Sequence, residues 1–155
     1  MTTPLPPKPA AYAAVLAALH ERLAQARAGM QAAQESSNSE TKSSAGDKYE
    51  TGREMAQQER DRYAAQVHEA QQLVAETQRL DPARPSDAVR PGALVATSLG
   101  VFYVGVAAGR ARLPNGGPEL VAVSATAPLI QALSGRRAGE EVVFNGRTVR
   151  VLAVT

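Results

Sequence analysis

The sequence predicts an α+β protein of two domains, an N-terminal antiparallel coiled-coil hairpin followed by a small β-sheet domain with one helix. Three observations predict it: where proline falls, how the hydrophobic period changes along the chain, and how few aromatic rings are available. Of 155 residues, 44% are hydrophobic, close to ordinary soluble proteins. Only four Tyr and two Phe are present, with no Trp. Large single cores lean on such rings, so Ala-rich helices beside one small β core fit better.

Proline marks the boundaries. Four of the ten prolines lie in residues 4–9, none lies from Ala10 to Asp81, and three follow at Pro82, Pro85 and Pro91. Proline costs about 3 kcal/mol inside a helix, so residues 10–80 read as helical. Residues 1–9 read as a Pro-rich tail, and 81–91 (DPARPSDAVRP) as a stiff linker. Within the helical territory Tyr12, Leu16, Leu19, Leu23, Ala26, Met30 and Ala33 alternate spacings of four and three, which is an a/d seam. A second seam runs through Tyr63, Val67, Ala70 and Val74, flanked by Leu73 and Leu80. The polar run between them places a tip near 36–48 and makes the pair an antiparallel hairpin. Leu and Tyr concentrate at its open end, while Ala, Gln and Ser prevail toward the tip. The expectation is a slender rod anchored at its base.

Residues 92–155 carry the β signal. ALVAT (93–97), VFYVGV (101–106), ELVAVS (119–124), EVVF (141–144) and RTVRVLAV (147–154) predict about five strands. Asn145-Gly146 between the last two is a strong hairpin signal. One helix interrupts them: Thr126 is a candidate cap, Pro128 suits the first turn and Gly135 the end, with Leu129, Ile130 and Leu133 facing the sheet.

Composition excludes several functions. With no Cys, disulfides, Cys-ligated zinc and thiol nucleophiles are excluded. His20 and His68 lie far apart, so a catalytic triad has little material. Residues 1–80 hold nine basic and ten acidic side chains, and residues 81–155 eight and five. That is no polybasic nucleic-acid footprint. No apolar run reaches the ~18–20 residues of a membrane span, and the first residues lack a signal-peptide pattern. The expectation is a cytoplasmic protein, with no membrane contact and no sequence-specific nucleic-acid binding.

Two residue groups are candidate sites. Glu35, Glu40, Asp47 and Glu50 lie near the tip. They read either as carboxylates that deliver ligands to a metal in another protein's active site or as helix caps, with Asp47 as N-cap and Glu50 its N3 partner. Spacing favours the cap. Arg136, Arg137 and Arg110 read either as a basic patch or as solvated charges, the first two suiting a helix C-terminus. PNGGP (114–118) lacks the Lys and helix of a phosphate loop.

The segment VSATAPLIQALSGRRAGEEV (123–142) resembles I-S-x-x-S-P-(L/I)-x-x-A-L-(L/I)-G-(K/R)-x-x-G-D-x-V of the Gre family of bacterial transcription elongation factors. Ser124, Pro128, Ala132, Leu133, Gly135 and Gly139 fall in register, Ala127 replaces Ser, and Glu140 replaces Asp. The order of hairpin then sheet domain is also the family's. The resemblance implies an FKBP-like C-terminal domain that docks on the rim of RNA polymerase's secondary channel, with Ser124, Pro128, Arg136 and Arg137 on the docking surface. It implies a hairpin that enters the channel, where family members hold a second Mg²⁺ on two acidic tip residues and stimulate the polymerase's own transcript cleavage. Such a factor is not an enzyme by itself, and any Mg²⁺ is shared with the polymerase. Aligning the family's tip tyrosine with Tyr49 puts Lys42 and Ala45 in the acidic slots. Two versions follow: metal ligation by Asp47, Glu50 and Glu40, or channel occlusion without chemistry. Phe102, Tyr103 and Phe144 are too few rings for a prolyl isomerase pocket. A monomer bound to core polymerase is expected. The alternative is a self-associating coiled-coil module with no polymerase role, favoured by the marginal stability of isolated helix pairs.

Overall fold

The computed structural model describes residues 5–40, 47–114 and 116–155, without the side chains of residues 39, 40 and 47–49. Two long helices, α1 (Lys8–Glu40) and α2 (Asp47–Gln78), precede six strands and one short helix. The order is β1 (Leu94–Thr97), β2 (Gly100–Val104), β3 (Gly109–Ala111), β4 (Leu120–Val123), α3 (Pro128–Leu133), β5 (Glu141–Phe144) and β6 (Arg147–Val154). The fold class is α+β, as the sequence predicts. The chain forms two compact units, Met1–Leu19 with Leu73–Thr155, and His20–Gln72. Among the described residues no helix is long and apolar enough to cross a membrane.

The first unit is built on one sheet of order β3-β4-β2-β1-β6-β5. Its neighbours are antiparallel except β2 and β4, which run parallel with Val101 opposite Leu120 and Tyr103 opposite Ala122. Alternation along each strand sends side chains to two faces. Leu94, Ala96, Val101, Tyr103, Leu120 and Ala122 face one way and pack with Ala11, Ala14, Val15 and Leu19 of α1. Leu73 and Val74 of α2 and Leu80 close the same cluster. Val95, Val104, Val149 and Val151 face the other way, against Ile130 and Leu133 of α3. All four residues of β1 are therefore buried. Each fully buried Val or Leu contributes about 1.5–3 kcal/mol.

The first turns of α1 differ from the seam read in the sequence. Tyr12 and Leu16 are half-buried, while Ala11, Ala14, Val15 and Leu19 form the covered stripe. A sheet face is wider than a partner helix, so it covers the broader i, i+3, i+4, i+7 stripe and rotates the helix away from its a/d register.

Four further expectations are corrected. There are six strands, because β3 is only the three residues Gly-Arg-Ala and carries no apolar run. Residues 81–91 are a linker with a core residue: Val89 is buried against α3, its N–H donates to Arg136 O at 2.9 Å, and its carbonyl accepts from Gly135 N–H at 2.8 Å. Thr126 does not cap α3. Ala127 holds that position without a side-chain hydrogen bond, and Thr126 N–H instead donates to Ser124 Oγ at 3.1 Å. Finally, α1 continues through Ser36 to Glu40 and α2 begins at Asp47. Serine is only mildly unfavourable in a helix, and Ser37 extends the seam as a buried small residue. The hairpin at Asn145-Gly146 stands as predicted, with φ of 50° and 76° at the two turn residues.

Two buried polar groups sit at the helix–sheet contact. Lys8 is 6% exposed, and its ammonium donates to Arg84 O at 2.8 Å. Burial holds its pKa below the ordinary lysine value, with Asp81 acting in the opposite direction. The Tyr103 hydroxyl is buried without a hydrogen-bond partner. Burial, then Tyr12 and Asp81, push its pKa up to about 12.

The second unit is the helix pair from His20 to Gln72. Leu23, Ala26, Ala33 and Ser37 are buried on α1, and Ala56 and Ala70 on α2, with Met30, Tyr63 and Val67 half-buried. Gly29 makes the seat for Tyr63: a Cβ there would lie 2.6 Å from the ring's Cδ1 and Cζ.

Two predictions follow from this packing. Gly29→Ala should destabilise the helix pair by about 1–2 kcal/mol, the overpacking cost exceeding the gain in helix propensity. In a Tyr63→Ala background the same change should instead stabilise by up to about 1 kcal/mol. Chemical denaturation of the four proteins checks both signs. The second concerns alkaline pH. The raised Tyr103 pKa means that the folded state keeps its phenol proton where the unfolded state, at about 10, loses it. Stability is therefore full below pH 10 and declines toward pH 12, by roughly 2–3 kcal/mol from this group. Tyr103→Phe should remove that part of the decline and, by deleting an unpaired buried hydroxyl, leave neutral-pH stability unchanged or slightly higher. Urea titrations of both proteins from pH 8 to 12 measure the difference.

Candidate functional site

Ser124 and Pro128 lie before and at the start of α3, and Arg136 and Arg137 lie beyond its end. Ser124 ends the β4 side of this surface, and its hydroxyl lies 2.8 Å from Thr126 Oγ1. Pro128 opens α3, where its fixed φ suits a helical first turn and its missing N–H costs nothing. Leu133 and Ile130 anchor the helix from below. At the other end Gly135 takes φ of 75°, a conformation that a Cβ disfavours, and the chain turns toward Arg136 and Arg137. Both arginines are exposed.

Both arginines are ion-paired. Arg136 Nη1 donates to Glu140 Oε2 at 3.2 Å, and Arg137 Nη1 to Asp87 Oδ2 at 3.0 Å. The Arg137 backbone N–H also donates to Glu140 Oε1 at 3.3 Å. Arg110 is not gathered with them: it lies on β3, at the sheet edge opposite β5, and pairs with Glu119 at 3.4 Å. The three-arginine patch read as one option in the sequence is thus two separate features. The partnership of Asp87 with Arg137, fifty residues apart, carried no signal in the sequence.

The tip group is only partly visible. Glu50 is exposed on the first turn of α2, and Glu35 is exposed on α1, accepting from Gln31 Nε2 at 3.4 Å. The side chains of Glu40 and Asp47, and all of Lys42, Ser44 and Ala45, lie outside the described residues, and with them the metal and capping readings. Among the described residues no three His, Asp or Glu side chains cluster as metal ligands. Nearer the middle of the second unit, Arg60 reaches from α2 to α1, donating to Gln34 Oε1 at 3.1 Å while pairing with Asp61 at 3.0 Å.

The first unit also has an apolar groove of about 790 Å³, lined by Leu5, Pro6, Ala10, Leu113 and Pro118 among others. Arg112 is its one ionisable lining residue, and it pairs with Glu119 at 3.3 Å.

Fold and surface together define a two-unit α+β protein, with a long helical pair and a charged loop surface framing a short helix. No protein-family model matches the chain, and no curated protein does. Among solved structures it is similar to one described as the transcription factor Gfh1, at 23% identity over 91% of this chain and 93% of that one, with a TM-score of 0.38. A likeness of that size does not place the chain in a family.

The ion pairs of this surface are open to water, and exposed pairs contribute about 0–1 kcal/mol each. Arg136→Ala with Arg137→Ala should therefore lower the unfolding free energy by no more than about 1–2 kcal/mol. Thermal unfolding with a wild-type far-UV spectrum at 25 °C checks that the doubly substituted protein stays folded.

Proposed function

We propose that this protein is a Gre-like transcription factor that binds RNA polymerase through residues 92–155 and inserts its helical hairpin into the secondary channel. The observation that carries the reading is the 123–142 segment. Its motif positions are those the local fold needs: Pro128 begins α3, Leu133 is its buried anchor, and Gly135 and Gly139 both take positive φ. The half-buried Ser124 and the exposed Pro128, Arg136 and Arg137 flank that helix and in this reading make the docking surface. The long paired helices, 33 and 32 residues, supply the length such an insertion needs.

In this reading the hairpin occupies the channel and lends no metal-binding pair, because Lys42 and Ala45 stand in the acidic slots. The protein performs no reaction alone and carries no cofactor of its own.

The absence of cysteine makes the test direct. Ala45→Cys, labelled with a short photocrosslinker, is mixed with core RNA polymerase from the same host. Crosslinks at the polymerase active centre are expected, and Arg136→Ala with Arg137→Ala should weaken binding about tenfold or more, as for lost charged contacts. Crosslinks confined to the polymerase exterior, or no binding by the folded protein, would overturn the proposal. Asp47→Ala with Glu50→Ala should leave the rate of transcript shortening in backtracked complexes unchanged. A loss of shortening would show that the tip supplies ligands after all.

A further inference from the structure

Where the end of α2 meets the 81–92 segment, the first unit has a cavity of about 240 Å³ lined by Arg79, Arg84 and Arg90, with Asp81, Ser86 and Gly92 among its other walls. We propose that this cavity is a binding site for a small phosphoryl anion, one or two phosphoryl groups in size.

Charge is the first argument. Three arginines and one aspartate are among the residues that line the cavity. Arg90 is paired, with Asp87 at 3.4 Å. Arg79 and Arg84 form no ion pair among the described residues. The one lining carboxylate, Asp81, uses Oδ1 to accept the Ala83 N–H at 2.9 Å. It therefore fixes the turn that carries Arg84. The Lys8 ammonium, held on the Arg84 carbonyl, adds a further positive charge from the protein interior. With three arginines to one aspartate, the concave surface carries a net positive charge and concentrates anions.

Geometry is the second argument. The arginines do not hang from flexible loops. Arg84 N–H donates to Asp81 O at 3.2 Å, the Arg84 carbonyl is pinned by Lys8, and Arg90 O accepts from Ala93 N–H at 3.0 Å. Planar guanidinium forks match phosphoryl oxygens bidentately. The volume equals roughly eight water molecules, which suits a phosphate or diphosphate and is too small for a peptide element. The site adjoins the α3 surface, because Asp87 pairs with both Arg90 and Arg137, but its test does not depend on polymerase binding.

The test is a titration of the full chain with sodium pyrophosphate and, separately, with a nucleoside diphosphate, read by amide NMR shifts at Arg84, Ser86 and Gly92. Saturable binding at about 1 mM or tighter is expected, weakening as NaCl rises from about 0.05 to 0.5 M. Arg79→Gln with Arg84→Gln should weaken it about tenfold. Asp81→Asn keeps the Oδ1 acceptor but removes the opposing charge, and should strengthen it severalfold. Opposite signs from the two variants separate a binding site from general unfolding. Equal affinity for both anions assigns recognition to the phosphoryl groups alone, and tighter nucleotide binding identifies a nucleotide as their source. No saturable shifts by about 10 mM, shifts away from these residues, or affinity unmoved by the arginine changes would overturn the proposal.

Discussion

Burial of Ala11, Ala14, Val15 and Leu19 of α1 against Leu94, Val101, Tyr103 and Leu120 of the sheet is the contact on which the first unit depends. A single sheet with α3 on one face would leave the other face in water, and because both faces here are apolar both need cover. The first three turns of α1 provide that cover, and Leu73 and Val74 of α2 complete it. The compact unit therefore includes both helix ends, and its boundary at Leu19 and Leu73 falls inside the helices rather than at the proline-rich segment. Val89 ties that segment to α3 from the opposite side. What composition marks as a linker is held at both faces of the sheet unit.

The two units are stabilised by different means. Around the sheet, Leu, Val and Ile side chains are almost completely buried. In the helix pair, alanines and one serine fill most of the buried positions, and Gly29 admits the Tyr63 ring. Alanine contributes little apolar area per residue, so the helix pair relies on helix propensity and on the seating of Tyr63 at Gly29. Polar contacts such as Arg60 with Gln34 add register rather than much free energy.

Much of the fold was legible in the sequence. The proline-free stretch, the alternation of three and four, and the Asn145-Gly146 turn each rest on local physics, and local physics is what one sequence carries. β5 and β6 match their predicted runs residue for residue. The misses have a common cause in tertiary packing. Ala11 and Ala14 look like filler in an a/d pattern and become core only because a sheet lies over them. β3 is defined by pairing with β4 and not by its own residues. Around α3, the places of Pro128 and Gly135 were readable because backbone geometry selects them, whereas the Asp87–Arg137 pair and the grouping of Arg79, Arg84 and Arg90 join segments through turns that no periodicity encodes.

On this packing the helix ends belong to the sheet's cooperative unit. Native-state hydrogen exchange on the full chain tests it most directly, because opening free energies report which amides unfold together. Amides of residues 11–19 and 73–78 should exchange only with those of β1, β2 and β4, at the highest free energy in the molecule. Residues 20–38 and 50–72 should open separately and at lower cost. Exchange of each long helix as one unit from end to end, with the sheet retaining its protection, would contradict the account.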